Sequence, residues 1–102
     1  MDLAAFNATL ERTEPPPDLP PALLALWHAA RGAWDAAHGI AQDHEGEADC
    51  DWVHAHLHRI EGDAANAGYW YRRANRSECR DSLDTEWASI ATAMLAHGGS
   101  PP

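Results

Sequence analysis

Apolar residues recur along the chain at three- and four-residue spacing, the period of helices with one buried face. Leu3, Phe6 and Leu10 predict a short N-terminal helix over residues 2–12. Pro15-Pro16-Pro17 ends it, because proline lacks a donor and fixes φ. Leu19-Pro20-Pro21 then opens a second helix, whose stripe of Leu23, Leu24 and Trp27 runs to Arg31. Gly32 stops it. A third helix carries Trp34, Ala37, His38 and Ala41 and fades in the acidic stretch Asp43–Asp51. Asp49 or Asp51 is expected to cap a fourth helix from about Trp52 to Glu61. Gly62-Asp63 is a tight turn, and a fifth helix carries Asn66, Ala67, Trp70, Tyr71 and Ala74. Ser77–Leu83 reads as irregular. Asp84 or Thr85 is expected to cap a last helix with Trp87, Ile90, Ala91, Met94 and Leu95, and the tail 98–102 to fray.

The predicted fold class is therefore all-α: a small bundle of five or six helices in a single domain, 1–102. Residues 1–18 form the N-terminal helix and Pro-rich linker, 20–75 two antiparallel hairpins, and 83–97 the C-terminal helix. The hairpins rest on an internal repeat. Gly32 and Gly62 each have Ala five residues later (Ala37, Ala67), Ala seven residues earlier (Ala25, Ala55) and His four residues earlier (His28, His58). Helix, glycine turn and helix packed through small residues make a unit that buries a face against its neighbour.

Two resemblances follow from these residues. Gly62, Ala67, Tyr71 and Ala74 resemble the second helix of a tetratricopeptide repeat, and Gly32, Ala37 and Ala41 repeat the pattern in part. The period is 30 rather than 34, Trp52 is displaced by one, and His44 replaces a small residue. The run Trp52-Val53-His54-Ala55-His56-Leu57-His58-Arg59-Ile60-Glu61-Gly62-Asp63 is followed by Asn66-Ala67-Gly68-Tyr69-Trp70-Tyr71-Arg72-Arg73-Ala74. With Leu26-Trp27-His28, Gly32, Trp34 and Ala37-His38 upstream, it looks like a family of small uncharacterised bacterial and fungal proteins. These resemblances imply hairpin geometry and no particular reaction.

Charge narrows the partners. A formal net charge of -9 disfavours nucleic acid or an anionic membrane as the partner of the whole surface. No apolar run reaches the length of a membrane span, and Met1-Asp2-Leu3 does not begin a secretory leader, so a cytoplasmic protein is expected. Cys50 and Cys79 are then expected to be free thiols.

Three groups of residues could carry chemistry. His54 and His58, four apart, share one face of the fourth helix at the spacing of helical two-histidine metal sites. His38, Asp51 or Asp63 would have to complete the set, and His38, His54 and His58 form the candidate ligand set for a divalent metal. The competing reading is packing, with both rings hydrogen-bonded to neighbours. His56 points the other way and is expected to be exposed. The acidic stretch alternates like a calcium loop, but Ala48 and His54 stand where glycine and glutamate are needed, so it reads as a solvated loop. Third, Arg59, Arg72, Arg73, Arg76 and Arg80 interleave with Tyr69, Trp70 and Tyr71. Arginine forks beside aromatic faces suit a carboxylate or phosphate. The alternative pairs them with Glu61, Asp63, Glu78 and Asp81. No phosphate loop or nucleophile motif is present. The sequence thus favours a binding module over an enzyme. Its ligand-binding residues would be His54, His58, Arg59, Asn66, Trp70 and Arg73, and its partner a protein segment or a small anionic ligand. A divalent-metal protein or metal-dependent hydrolase, and a structural homodimer, are the alternatives.

Overall fold

The computed structural model describes residues 1–98, which form six helices and no strand: α1 (Leu3–Thr9), α2 (Pro21–Ala30), α3 (Trp34–Asp43), α4 (Ala48–Ile60), α5 (Ala64–Arg73) and α6 (Leu83–Gly98). The frayed tail expected over 98–102 falls, beyond Gly98, outside the described residues.

Glycine geometry makes the two hairpins. Gly32 (φ +77°) and Gly62 (φ +82°) lie in the left-handed region that a Cβ disfavours. Around each, two backbone bonds close the preceding helix. Gly32 N–H donates to Ala29 O and Ala33 N–H to His28 O; Gly62 N–H donates to Arg59 O and Asp63 N–H to His58 O. These paired bonds, reaching back three and five residues along the chain, form the Schellman motif, so the 30-residue repeat in the sequence is a repeat of one helix ending. Asn75 (φ +58°) ends α5 the same way, through Asn75 N–H to Arg72 O and Arg76 N–H to Tyr71 O. Three-residue connections fold α2 onto α3 and α4 onto α5, with Ala25, Ala37, Ala41, Ala55 and Ala67 buried along the hairpins.

Two apolar clusters result. The larger gathers Phe6, Leu23, Leu26, Trp27, Val53, Leu57, Ile90 and Met94; the smaller holds Ala55, Ala67, Trp70 and Tyr71; half-buried Trp52 packs against both. Three indole N–H groups stitch elements together. Trp27 donates to Thr9 Oγ1 (3.2 Å), Trp34 to Leu57 O (2.7 Å) and Trp87 to Leu26 O (2.9 Å). Arg31 reaches back to the carbonyls of Leu10 (2.5 Å) and Arg12 (2.6 Å) and holds the chain that leaves α1.

Several boundaries differ from expectation. Helix α1 is shorter than 2–12: Asp2 caps it through Ala5 N–H, and it stops at Thr9. Helix α4 begins at Ala48 rather than Trp52. Asp49 and Asp51 therefore lie in its first turn, where they complement the helix dipole, rather than in a loop. Neither caps the helix; Glu47 occupies that position, and the buried Asp51 carboxylate accepts from Gly46 N–H. Ser82, not Asp84 or Thr85, caps α6, accepting from Thr85 N–H at 3.1 Å. Asp63 caps α5 by accepting from Asn66 N–H and Asn66 Nδ2.

Gly62→Ala is expected to cost about 1 kcal/mol through the left-handed φ, lowering the melting temperature by roughly 4–8 °C. Gly39→Ala lies inside α3 with open space around a new Cβ, so it should leave stability unchanged or raise it by up to about 1 kcal/mol. Thermal unfolding of both variants checks the sign difference.

Candidate functional site

Helix α4 is buried on more than one side: α5, α3, α2 and α6 all pack on it. It carries Asp51, His54, His56 and His58 into the interior. Polar groups in such a place need partners, and they find them on two faces.

On the first face, α3 delivers His38 to His54 and His58. His38 Nε2 lies 3.1 Å from His54 Nε2, and one nitrogen from each of the three rings falls within 4.8 Å of the other two. Aromatic walls hold the rings. Trp34, anchored by its bond to Leu57 O, stacks on His38 (4.6 Å, 10°), and Trp70 from α5 stacks on His54 (3.7 Å, 11°). His58 Nδ1 meets Glu61 Oε1 at 2.5 Å, which orients the ring and leaves its Nε2 for the cluster. His54 Nδ1 is buried with no hydrogen-bond partner. Burial, then the neighbouring His38 and His58, push the His54 imidazole down to about 4; burial, then His58, lower His38. Both rings are therefore neutral at neutral pH, the form that binds metals. His58, Glu61 and Asp63 form a second potential metal-holding set. In that set Glu61 is already the partner of His58, and Asp63 is committed to capping α5.

The other residues singled out in the sequence divide around this cluster. Trp70 belongs to it. Arg73 is exposed, with its guanidinium over Trp70 (5.3 Å) and bonded to Tyr69 Oη (2.9 Å). Asn66 is exposed and bonded to Asp63. Arg59 lies elsewhere, on the second face.

That face centres on Glu86 of α6, 2% exposed. Its carboxylate accepts from His56 Nδ1 (2.7 Å), from Arg59 Nη1 (2.7 Å) and from the Tyr71 hydroxyl. Arg59 also donates to Asp81 O (2.6 Å). Burial pushes the Glu86 carboxyl up, but the three hydrogen bonds outweigh it and hold the group at about 2. His56, expected to be exposed, is 2% exposed, because α6 covers the side of α4 that a one-sided helix would leave in water. The expected pairing of arginines with Glu61, Asp63, Glu78 and Asp81 side chains is also corrected. Arg59 pairs with Glu86, and Arg72, Arg73 and Arg76 make no carboxylate pair among the described residues. Arg76 instead lies over Trp52, 3.7 Å from the ring centroid.

Sequence reasoning missed Trp34 and Glu61 as supports of the histidine cluster, and the whole Glu86 network. Glu61 had a signal, standing three residues after His58 on the same helical face. Glu86 had none, since its partners lie 15 to 30 residues away. The cysteines are free; burial, followed by nearby acidic groups, pushes the Cys50 thiol up to about 12, which leaves it a poor nucleophile.

No known protein family, curated protein or solved structure matches the chain.

The unfolded chain binds a proton at Glu86 near the ordinary 4.5, and the folded chain refuses it until about 2. This stability is complete above 4.5 and is lost as pH falls towards 2, an effect on the order of 3 kcal/mol. His54 acts in the same direction between 6.5 and about 4. Urea midpoints from pH 5 to pH 2.5 should fall more steeply for the wild-type chain than for Glu86→Gln, which starts less stable. Parallel curves would contradict the network.

Proposed function

We propose that this protein is a divalent transition-metal-binding module whose ligands are His38, His54 and His58. One observation carries the reading: three imidazoles from two helices converge, with one nitrogen of each within 4.8 Å of the other two. The 3.1 Å between His38 and His54 is close to the roughly 3.3 Å separating two nitrogens bound tetrahedrally at about 2.05 Å from zinc. Glu61 on His58 is the kind of outer partner that orients a ligating imidazole. Imidazole donors suit zinc, copper, nickel and cobalt. Three protein ligands leave a fourth position for water or for a carboxylate or other anion.

A second reading, a binding module for an acidic segment or small anion, draws on one observation. Arg72, Arg73 and Arg76 are exposed and free of carboxylate partners among the described residues, and Arg73 and Arg76 rest on the rings of Trp70 and Trp52. Charged forks held on aromatic faces are pre-positioned for carboxylates.

Untagged protein titrated with zinc in a calorimeter should take up one ion per chain, and cobalt should give the intense visible bands of a tetrahedral centre. His54→Ala and His38→Ala should each weaken binding by at least about a hundredfold. His44→Ala, outside the cluster, should leave it unchanged. A wild-type chain that binds neither metal, or loses nothing in His54→Ala, would overturn the reading.

A further inference from the structure

The opposite side of α4 holds a cavity of about 440 Å³ between α1, α2, α4 and α6. That volume is within the usual range of small-molecule sites. Its walls are mainly apolar, including Leu10 and Trp87. Two further lining residues, Ile60 and Leu83, are large hydrophobic side chains left 40% and 37% exposed. Apolar side chains wetted beside a concavity are what an apolar occupant would cover.

Its polar side chains are His56, Asp84 and Asn7, whose amide can both donate and accept. His56 lines the cavity while being 2% exposed overall. The Glu86 carboxylate holds its Nδ1 at 2.7 Å and so fixes the ring proton there. The remaining nitrogen, Nε2, has no protein partner among the described residues, and in the neutral ring with its proton on Nδ1 it carries the lone pair. A carboxylate behind the ring makes that nitrogen a stronger acceptor. Asp84, also in the lining, adds a second acceptor and negative potential, and no lysine or arginine lines the cavity.

We propose that this cavity binds a small, mainly apolar molecule whose head group donates a hydrogen bond, an alcohol or an amine, with His56 Nε2 as the acceptor. The lining disfavours anions: a carboxylate or phosphate would meet Asp84, with Glu86 behind the imidazole and no lysine or arginine in the walls. The site lies on the face of α4 opposite the three-histidine cluster and does not depend on metal binding.

The test is an amide and indole chemical-shift titration of the full chain with four probes of similar size: benzyl alcohol, benzylamine, toluene and benzoate. The alcohol and the amine should produce saturable shifts at Ile60, Leu83, Ala88 and the Trp87 indole. Toluene and benzoate should bind at least about tenfold more weakly. His56→Leu would strand Glu86 and could unfold the chain, so the occupancy control is Ala88→Leu, which fills the cavity from a half-buried lining position. That variant should keep the wild-type helical circular dichroism and lose at least tenfold in affinity for both donors. The inference is overturned if neither donor gives saturable shifts, if benzoate or toluene matches them, or if Ala88→Leu binds as the wild type does.

Discussion

The structure depends on satisfying the polar side chains of a helix that has almost no solvent face. Helix α4 is enclosed by four other helices and still carries three histidines and an aspartate in its interior. Each buried polar atom there must be bonded or bear a desolvation cost. The partners come from every neighbour: His38 and Trp34 from α3, Trp70 and Tyr71 from α5, and Glu86 from α6. Much of the side-chain order around α4 follows from this requirement.

The two faces meet it differently. For the Glu86 carboxylate the account closes, because this buried anion is matched by the Arg59 cation and two further donors. Such a network adds less net stability than its bonds suggest, since desolvating the charges offsets much of the gain. It also ties α6 to α4 and α5 across the irregular segment 74–82. On the His54 side the account does not close. His54 Nδ1 is left over, and three imidazoles face one another with a nitrogen of each within 4.8 Å of the other two. These imidazoles, held by stacked indoles, are the ligand set of the proposed metal site.

Much of the architecture was legible in the sequence because it is local. A glycine in left-handed geometry ends a helix whatever surrounds it, so Gly32 and Gly62 located both hairpin turns, and alanines at fixed offsets located the packed faces. The spacing of His54 and His58 likewise located a shared face. The misreadings were tertiary. His56 was assigned to solvent because periodicity describes one helix at a time and cannot foresee α6 covering the second side. Glu86 carried no sequence signal because its partners are distant in the chain. The start of α4 was placed late because Asp49 and Asp51 resemble caps, whereas they fill the first helical turn.

The separation of roles among the histidines of α4 is most directly tested by long-range proton–nitrogen spectra of the imidazole rings, recorded before and after one equivalent of zinc. The account predicts that the ring nitrogens of His38, His54 and His58 move to metal-bound positions, while His56 keeps its proton on Nδ1 against Glu86 and barely shifts. Unchanged His38, His54 and His58 signals, or a His56 ring that changes as much as they do, would contradict it.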